Sequence, residues 1–163
     1  MWPETIDGPL DRIARVVEAA RAAHFSEEVV LENAHWGEDL DARFPWECGV
    51  IYLIEDLGDP AETAEAFTRY RQNLTPQSRH RLKILQPTGS GSQVLHVGAC
   101  SRNLRGALRQ HVMSITAATP ALKLSWWFAP RPYRIHLRRY DAEPPVLDLI
   151  RSAMVEDLRP AFA

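Results

Sequence analysis

The chain lacks the marks of secreted and membrane proteins. Only two cysteines, Cys48 and Cys100, occur in 163 residues. That is too few for a disulfide framework and fits a reduced, cytoplasmic setting. No apolar run approaches the roughly 20 residues that span a bilayer, so no membrane partner is expected. The opening Met1-Trp2-Pro3-Glu4 lacks the basic-then-apolar pattern of a secretory signal. Internal repeats and low-complexity tracts are absent too. The most pointed absence is of one charge sign: residues 69–139 carry thirteen Lys and Arg and no Asp or Glu.

What is present is ordinary in bulk and polarised in detail. Apolar residues make up 45% and charged residues 25%, as in a soluble globular domain. Residues 1–68 hold sixteen acidic side chains against four basic, and residues 140–163 hold five against two. The net charge of -2 hides this division. The guanidinium groups of the carboxylate-free stretch must face the acidic part, solvent or an external anion. Phosphate backbones are the commonest such anion. Internal pairing and external binding can both hold, at different sites.

The pattern predicts an α+β protein. Leu10, Ile13, Val17 and Ala20 form a helical stripe over Pro9 to Ala23. Residues 26–47 read as irregular and acidic, with Trp36, Phe44 and Trp46 packing back on the core. Gly49 to Ile54 is an apolar strand. Asp59-Pro60 starts a helix to about Gln72, with Glu65 and Arg69 spaced for an i,i+4 pair. Arg81 to Leu85 and Val94 to Val97 read as strands around the flexible Thr88 to Ser92 turn. Leu124 to Phe128 and Tyr133 to Tyr140 read as two more strands. In the second, Arg134, His136 and Arg138 alternate with Ile135 and Leu137. Val146 to Leu158 is an amphipathic helix that Pro160 ends.

The helix after Gly98 repays a face-by-face reading. Asn103 is a fair N-cap. Leu104, Ala107, Leu108, His111 and Val112 share one inward stripe, while Arg102, Arg105 and Arg109 lie on another. Gly106 costs about 1 kcal/mol in a helix interior.

These segments resemble the motifs of the GIY-YIG endonucleases. Tyr52 matches the tyrosine of the first motif. His96-Val97-Gly98 stands for Tyr-Ile-Gly, and Asn103-Leu104, Leu108 and His111 match the helix that follows. Leu158-Arg159-Pro160 matches the family's terminal motif. The resemblance covers roughly residues 45–163. It implies a small three-stranded antiparallel sheet flanked by helices, here with an N-terminal helical, acidic extension at 1–44 and an insertion at 55–93.

The departures fall at the chemistry. Family members use an arginine to stabilise phosphate charge, a glutamate to bind a divalent metal, and tyrosines to help activate water. Here Ala107 stands at the arginine position and Arg151 at the glutamate position. Tyr52 and His96 are the remaining candidate catalytic residues, and Asp148 the remaining candidate metal ligand. All three also read as ordinary structural residues. Three functions follow as expectations. The first is a nucleic-acid-binding protein, on DNA rather than RNA, with impaired cleavage and no cofactor. Its phosphate contacts would be Arg102, Arg105, Arg109, Arg134, Arg138 and Arg139. The second is an endonuclease using Mg²⁺ or Mn²⁺ through substituted residues. The third is a protein-interaction module whose acidic N-terminal part meets a partner or covers the basic face.

Overall fold

The computed structural model describes residues 7–32, 48–81, 83–113 and 119–162. Trp36, Phe44 and Trp46 lie outside them. The architecture is α+β: helix α1 (Asp7–Ala22), strands β1 (Phe25–Glu32) and β2 (Val50–Asp56), helices α2 (Pro60–Asn73) and α3 (Pro76–Arg81), strand β3 (Val94–Cys100), helices α4 (Leu104–Val112) and α5 (Leu124–Trp127), strand β4 (Tyr133–Tyr140) and helix α6 (Pro144–Leu158). The strands form one antiparallel sheet in the order β1-β4-β2-β3.

The sheet therefore has four strands, where three were expected. The extra one comes from the segment read as irregular. In β1, Val29 and Leu31 stand opposite Leu137 and Ile135, on the core side. Glu27, Glu28 and Glu32 stand opposite Arg139, Arg138 and Arg134. Glutamate is a poor strand former, so local preference conceals this strand. Its charges gain meaning only against β4, where opposite-sign cross-strand pairs are favourable. The N-terminal part is thus built into the sheet.

Two apolar layers enclose the sheet. On one face Val50, Tyr52 and Ile54 of β2 pack with Leu104, Leu108 and Val112 of α4 and with Phe67, Trp127, Phe128 and Phe162. On the other, Ile51, Val97 and Tyr140 meet Leu147, Ile150, Met154 and Leu158 of α6. Helix α1 rests on α6. No residue of α1 is fully buried, and Leu10 and Ile13 remain exposed.

The connection between β2 and β3 is anchored by polar contacts. The Asp59 side chain accepts the Ala61 N–H at 2.8 Å, with Pro60 in the first turn of α2, as the sequence indicates. Buried Asp56 accepts from the Gly58 N–H, the Thr63 hydroxyl and Arg131. Arg131 also pairs with Glu62 at 2.9 Å. The expected Glu65–Arg69 pair does not form among the described residues. Among the described residues two expected strands do not form. Around Arg81 to Leu85 only an isolated bridge joins Ile84 to Ala121. Leu124 to Phe128 instead opens as the one-turn helix α5, with Trp127 and Phe128 buried and Trp126 exposed. A short apolar run does not by itself distinguish strand from buried helix. Among the described residues no helix is long and apolar enough to cross a membrane.

Candidate functional site

Tyr52 lies in the middle of β2, directly across from Gly98 of β3. The phenol ring rests on that glycine. A Cβ at Gly98 would sit 2.1 Å from Tyr52 Cζ and 2.3 Å from its Oη. A strand glycine here makes room for another side chain. So placed, Tyr52 Oη lies 3.1 Å from His111 Nε2 on α4. The helix is fixed for this contact by Asn103, whose side chain accepts the Gly106 N–H at 2.8 Å, and by fully buried Leu104 and Leu108. Gly106 lets the cap close, since a Cβ there would lie 2.6 Å from Asn103 Nδ2.

His96, two residues before Gly98, stacks on His111 with ring centroids 4.6 Å apart and planes 28° from parallel. The hydrogen bonds fix both tautomers. The Leu122 N–H donates to His111 Nδ1 at 3.3 Å, so the His111 proton is on Nε2 and is donated to Tyr52 Oη. His96 Nδ1 lies 3.4 Å from the Phe162 carbonyl, which only accepts, so Nδ1 carries the His96 proton.

Burial keeps this group neutral. It pulls His96 down to about 4, against the opposing hydrogen bond to Phe162, with the Arg151 charge adding to the fall. Burial pulls His111 down to about 3, helped by His96 and by Lys123. The Tyr52 phenol is raised by burial and by Cys100, with Arg151 pulling the other way. Arg151 of α6 is therefore the cation that bears on both Tyr52 and His96. No carboxylate pairs with it among the described residues.

The other expected residues are distributed unevenly. Ala107 is half-buried against the apolar core and presents no charge. Asp148 is exposed and lines a groove with Arg12, Ile13, Val16 and Val17 of α1, so it is not gathered with Tyr52 and His96. Arg102 and Arg109 are exposed, and Arg105 is half-buried. The β4 arginines are engaged inside the sheet. Arg134 pairs with Glu32 at 2.7 Å and Glu55 at 3.6 Å, Arg138 with Glu28 at 2.8 Å, and Arg139 with Glu27 at 3.3 Å.

The residues at the Tyr52 site do not fit a divalent cation. Hard cations take oxygen ligands, chiefly carboxylates, and here the side chains brought together are two neutral histidines and a phenol. Among the described residues no group of three or more His, Cys, Asp or Glu side chains is placed to hold a metal.

Sequence reading matched His111 to a motif but gave it no role, and missed Lys123 altogether. A histidine on an apolar helical stripe needs a buried hydrogen-bond partner, a signal that points to a residue such as Tyr52. Lys123 carries no such signal. It precedes α5 in the left-handed region, with φ 55°, and its ammonium lies 5.2 Å from the centre of the Trp126 ring. Burial lowers its pKa. The group as a whole brings together a phenol hydroxyl and two stacked neutral imidazoles. No protein-family model, curated protein or solved structure matches the chain.

Proposed function

We propose that this protein binds the phosphate backbone of a nucleic acid, on a GIY-YIG-like scaffold that has lost efficient cleavage, and that it does so in the cytoplasm. The carrying observation is that Arg151 stands in the sequence where GIY-YIG enzymes have a metal-binding glutamate, and that its charge lowers the pKa of both Tyr52 and His96. A cation at that position attracts a phosphate and repels a metal ion. Further support comes from β2 and β3, which lie side by side and present Tyr52 and His96 toward α4. In this reading the scaffold is the three strands β3, β2 and β4 with their helices, and β1 is an added edge. Arg102 and Arg109 extend the contact along the backbone. The β4 arginines contribute less, because β1 carboxylates already engage them.

Fluorescence anisotropy with labelled oligonucleotides across a salt series tests this. Affinity is expected to fall steeply as salt rises. Binding that stays flat with salt, or no binding, refutes it. Metal-dependent cleavage that Tyr52→Phe abolishes would instead favour an endonuclease.

A further inference from the structure

Helix α1 carries an apolar side that the single chain leaves largely uncovered. Leu10, Ile13, Val17 and Ala20 recur at helical spacing along it. A lone helix of 16 residues is marginal in water and gains its stability by burying such a side. Helix α1 rests on α6, yet none of its residues is fully buried, and Leu10 and Ile13 are 51% and 59% exposed. Beside Ile13 runs an open groove of about 530 Å³, lined by Ile13, Val16 and Val17 of α1 and by Pro145 and Leu149 of α6. Arg12 and Asp148 line it as well. Neither of these two side chains makes a hydrogen bond or ion pair among the described residues.

The chemistry of this surface fits a second copy of itself. A two-fold interface presents one patch to the same patch, so that patch must hold both a ridge and a hollow. Exposed Leu10 and Ile13 are the ridge, and the groove between α1 and α6 is the hollow. The patch must also match itself in charge, and it carries one unpaired cation and one unpaired anion, Arg12 and Asp148. Along α1, Asp7, Asp11 and Glu18 balance Arg12, Arg15 and Arg21, so two copies of the helix do not repel, and a strongly acidic or basic partner finds no opposite excess. We infer that the chain forms a two-fold dimer through α1 and α6. Leu10 and Ile13 of each copy enter the other's groove, and Arg12 pairs with Asp148 of the partner subunit. The dimer does not depend on phosphate binding.

Size-exclusion chromatography with light scattering, run over a dilution series of the full chain, reads the assembly. The parent should appear at twice the mass of one chain and dissociate on dilution. Ile13→Glu puts a charge into both grooves of the dimer and should give a monomer. Its far-UV circular dichroism should match the parent's, because Ile13 is exposed in the single chain. Arg12→Glu and Asp148→Arg each bring like charges together twice in the dimer, and each should weaken association about tenfold or more. Combining the two restores opposite signs and should recover most of the loss. Should Ile13→Glu fail to fold, this charge exchange decides alone. A parent that stays monomeric at every concentration would overturn the dimer and leave the groove to a different protein. A dimer that Ile13→Glu leaves intact, or a double variant as weak as the single ones, would overturn this interface.

Discussion

Replacing Gly98 with alanine adds a single methyl group where the structure leaves no room for one. The new Cβ would lie 2.1 Å from Tyr52 Cζ, 2.3 Å from Oη and 2.6 Å from Cε2. Carbon atoms in contact settle near 3.5–4.0 Å, so the ring must move by more than about 1 Å. Tyr52 is 5% exposed and packed on all sides, and overpacking of this kind costs about 1–3 kcal/mol. The displaced hydroxyl also leaves His111 Nε2, and stranding a buried donor costs about 1–3 kcal/mol more. The total is about 2–6 kcal/mol, a large fraction of the stability of a small domain. Urea denaturation followed by far-UV circular dichroism measures it. The source is isolated by a double-mutant cycle, because in a Tyr52→Ala background the added methyl group meets no ring. There the Gly98→Ala cost should fall below about 1 kcal/mol. An equal cost in both backgrounds would refute the placement of the tyrosine on the glycine.

Further outcomes follow from the same contacts. Unfolded histidine titrates near 6.5, while folding holds His96 to about 4 and His111 to about 3. The unfolded chain then binds more protons below pH 6.5, so their contribution is complete above that pH and is lost as pH falls toward 4 and then 3. The loss is on the order of a few kcal/mol, and a His111→Gln variant should show a shallower decline in urea midpoint between pH 6.5 and 4. A decline as steep as the parent's would contradict it. Asn103→Ala removes the α4 cap and should cost about 1 kcal/mol by the same measurement, with no loss meaning that the cap is idle in solution. Changing Glu27, Glu28 and Glu32 together to glutamine frees Arg139 and Arg138, and leaves Arg134 its longer pair with Glu55, while keeping strand β1. Exposed pairs contribute about 0–1 kcal/mol each, so the fold should survive. Nucleic-acid affinity at low salt should rise several-fold, and an unchanged affinity would show that β4 meets no phosphate even when released.

The parts of this molecule written in local pattern were legible in its sequence. The period-two alternation of Tyr133 to Tyr140 and the stripe from Val146 to Leu158 correspond closely to β4 and α6. The caps at Asp59 and Asn103 appear as their sequences indicate, because capping depends on residues only two or three positions away. Strand β1 was hidden because its partners lie more than a hundred residues downstream, as in the Glu28–Arg138 pair. Helix α5 was misread because consecutive tryptophans satisfy either a doubly covered strand or a buried turn. Tyr52 and His96 could both be singled out in the sequence, and their rings lie 6.1 Å apart. The role of His111 could not, since it depends on the Leu122 N–H that fixes its tautomer. Gly98 showed as a motif residue, but its purpose as a floor for Tyr52 requires the register of β2 on β3.

The most direct test of the proposed phosphate binding is its salt dependence with oligonucleotides for the parent protein and Arg151→Glu. The parent's dissociation constant should climb steeply between about 50 and 200 mM salt, as counterion release requires. The variant, with its charge reversed at position 151, should bind at least tenfold more weakly at the low-salt end and show a shallower slope. Equal affinity and equal slope for the two proteins would contradict a phosphate at Arg151.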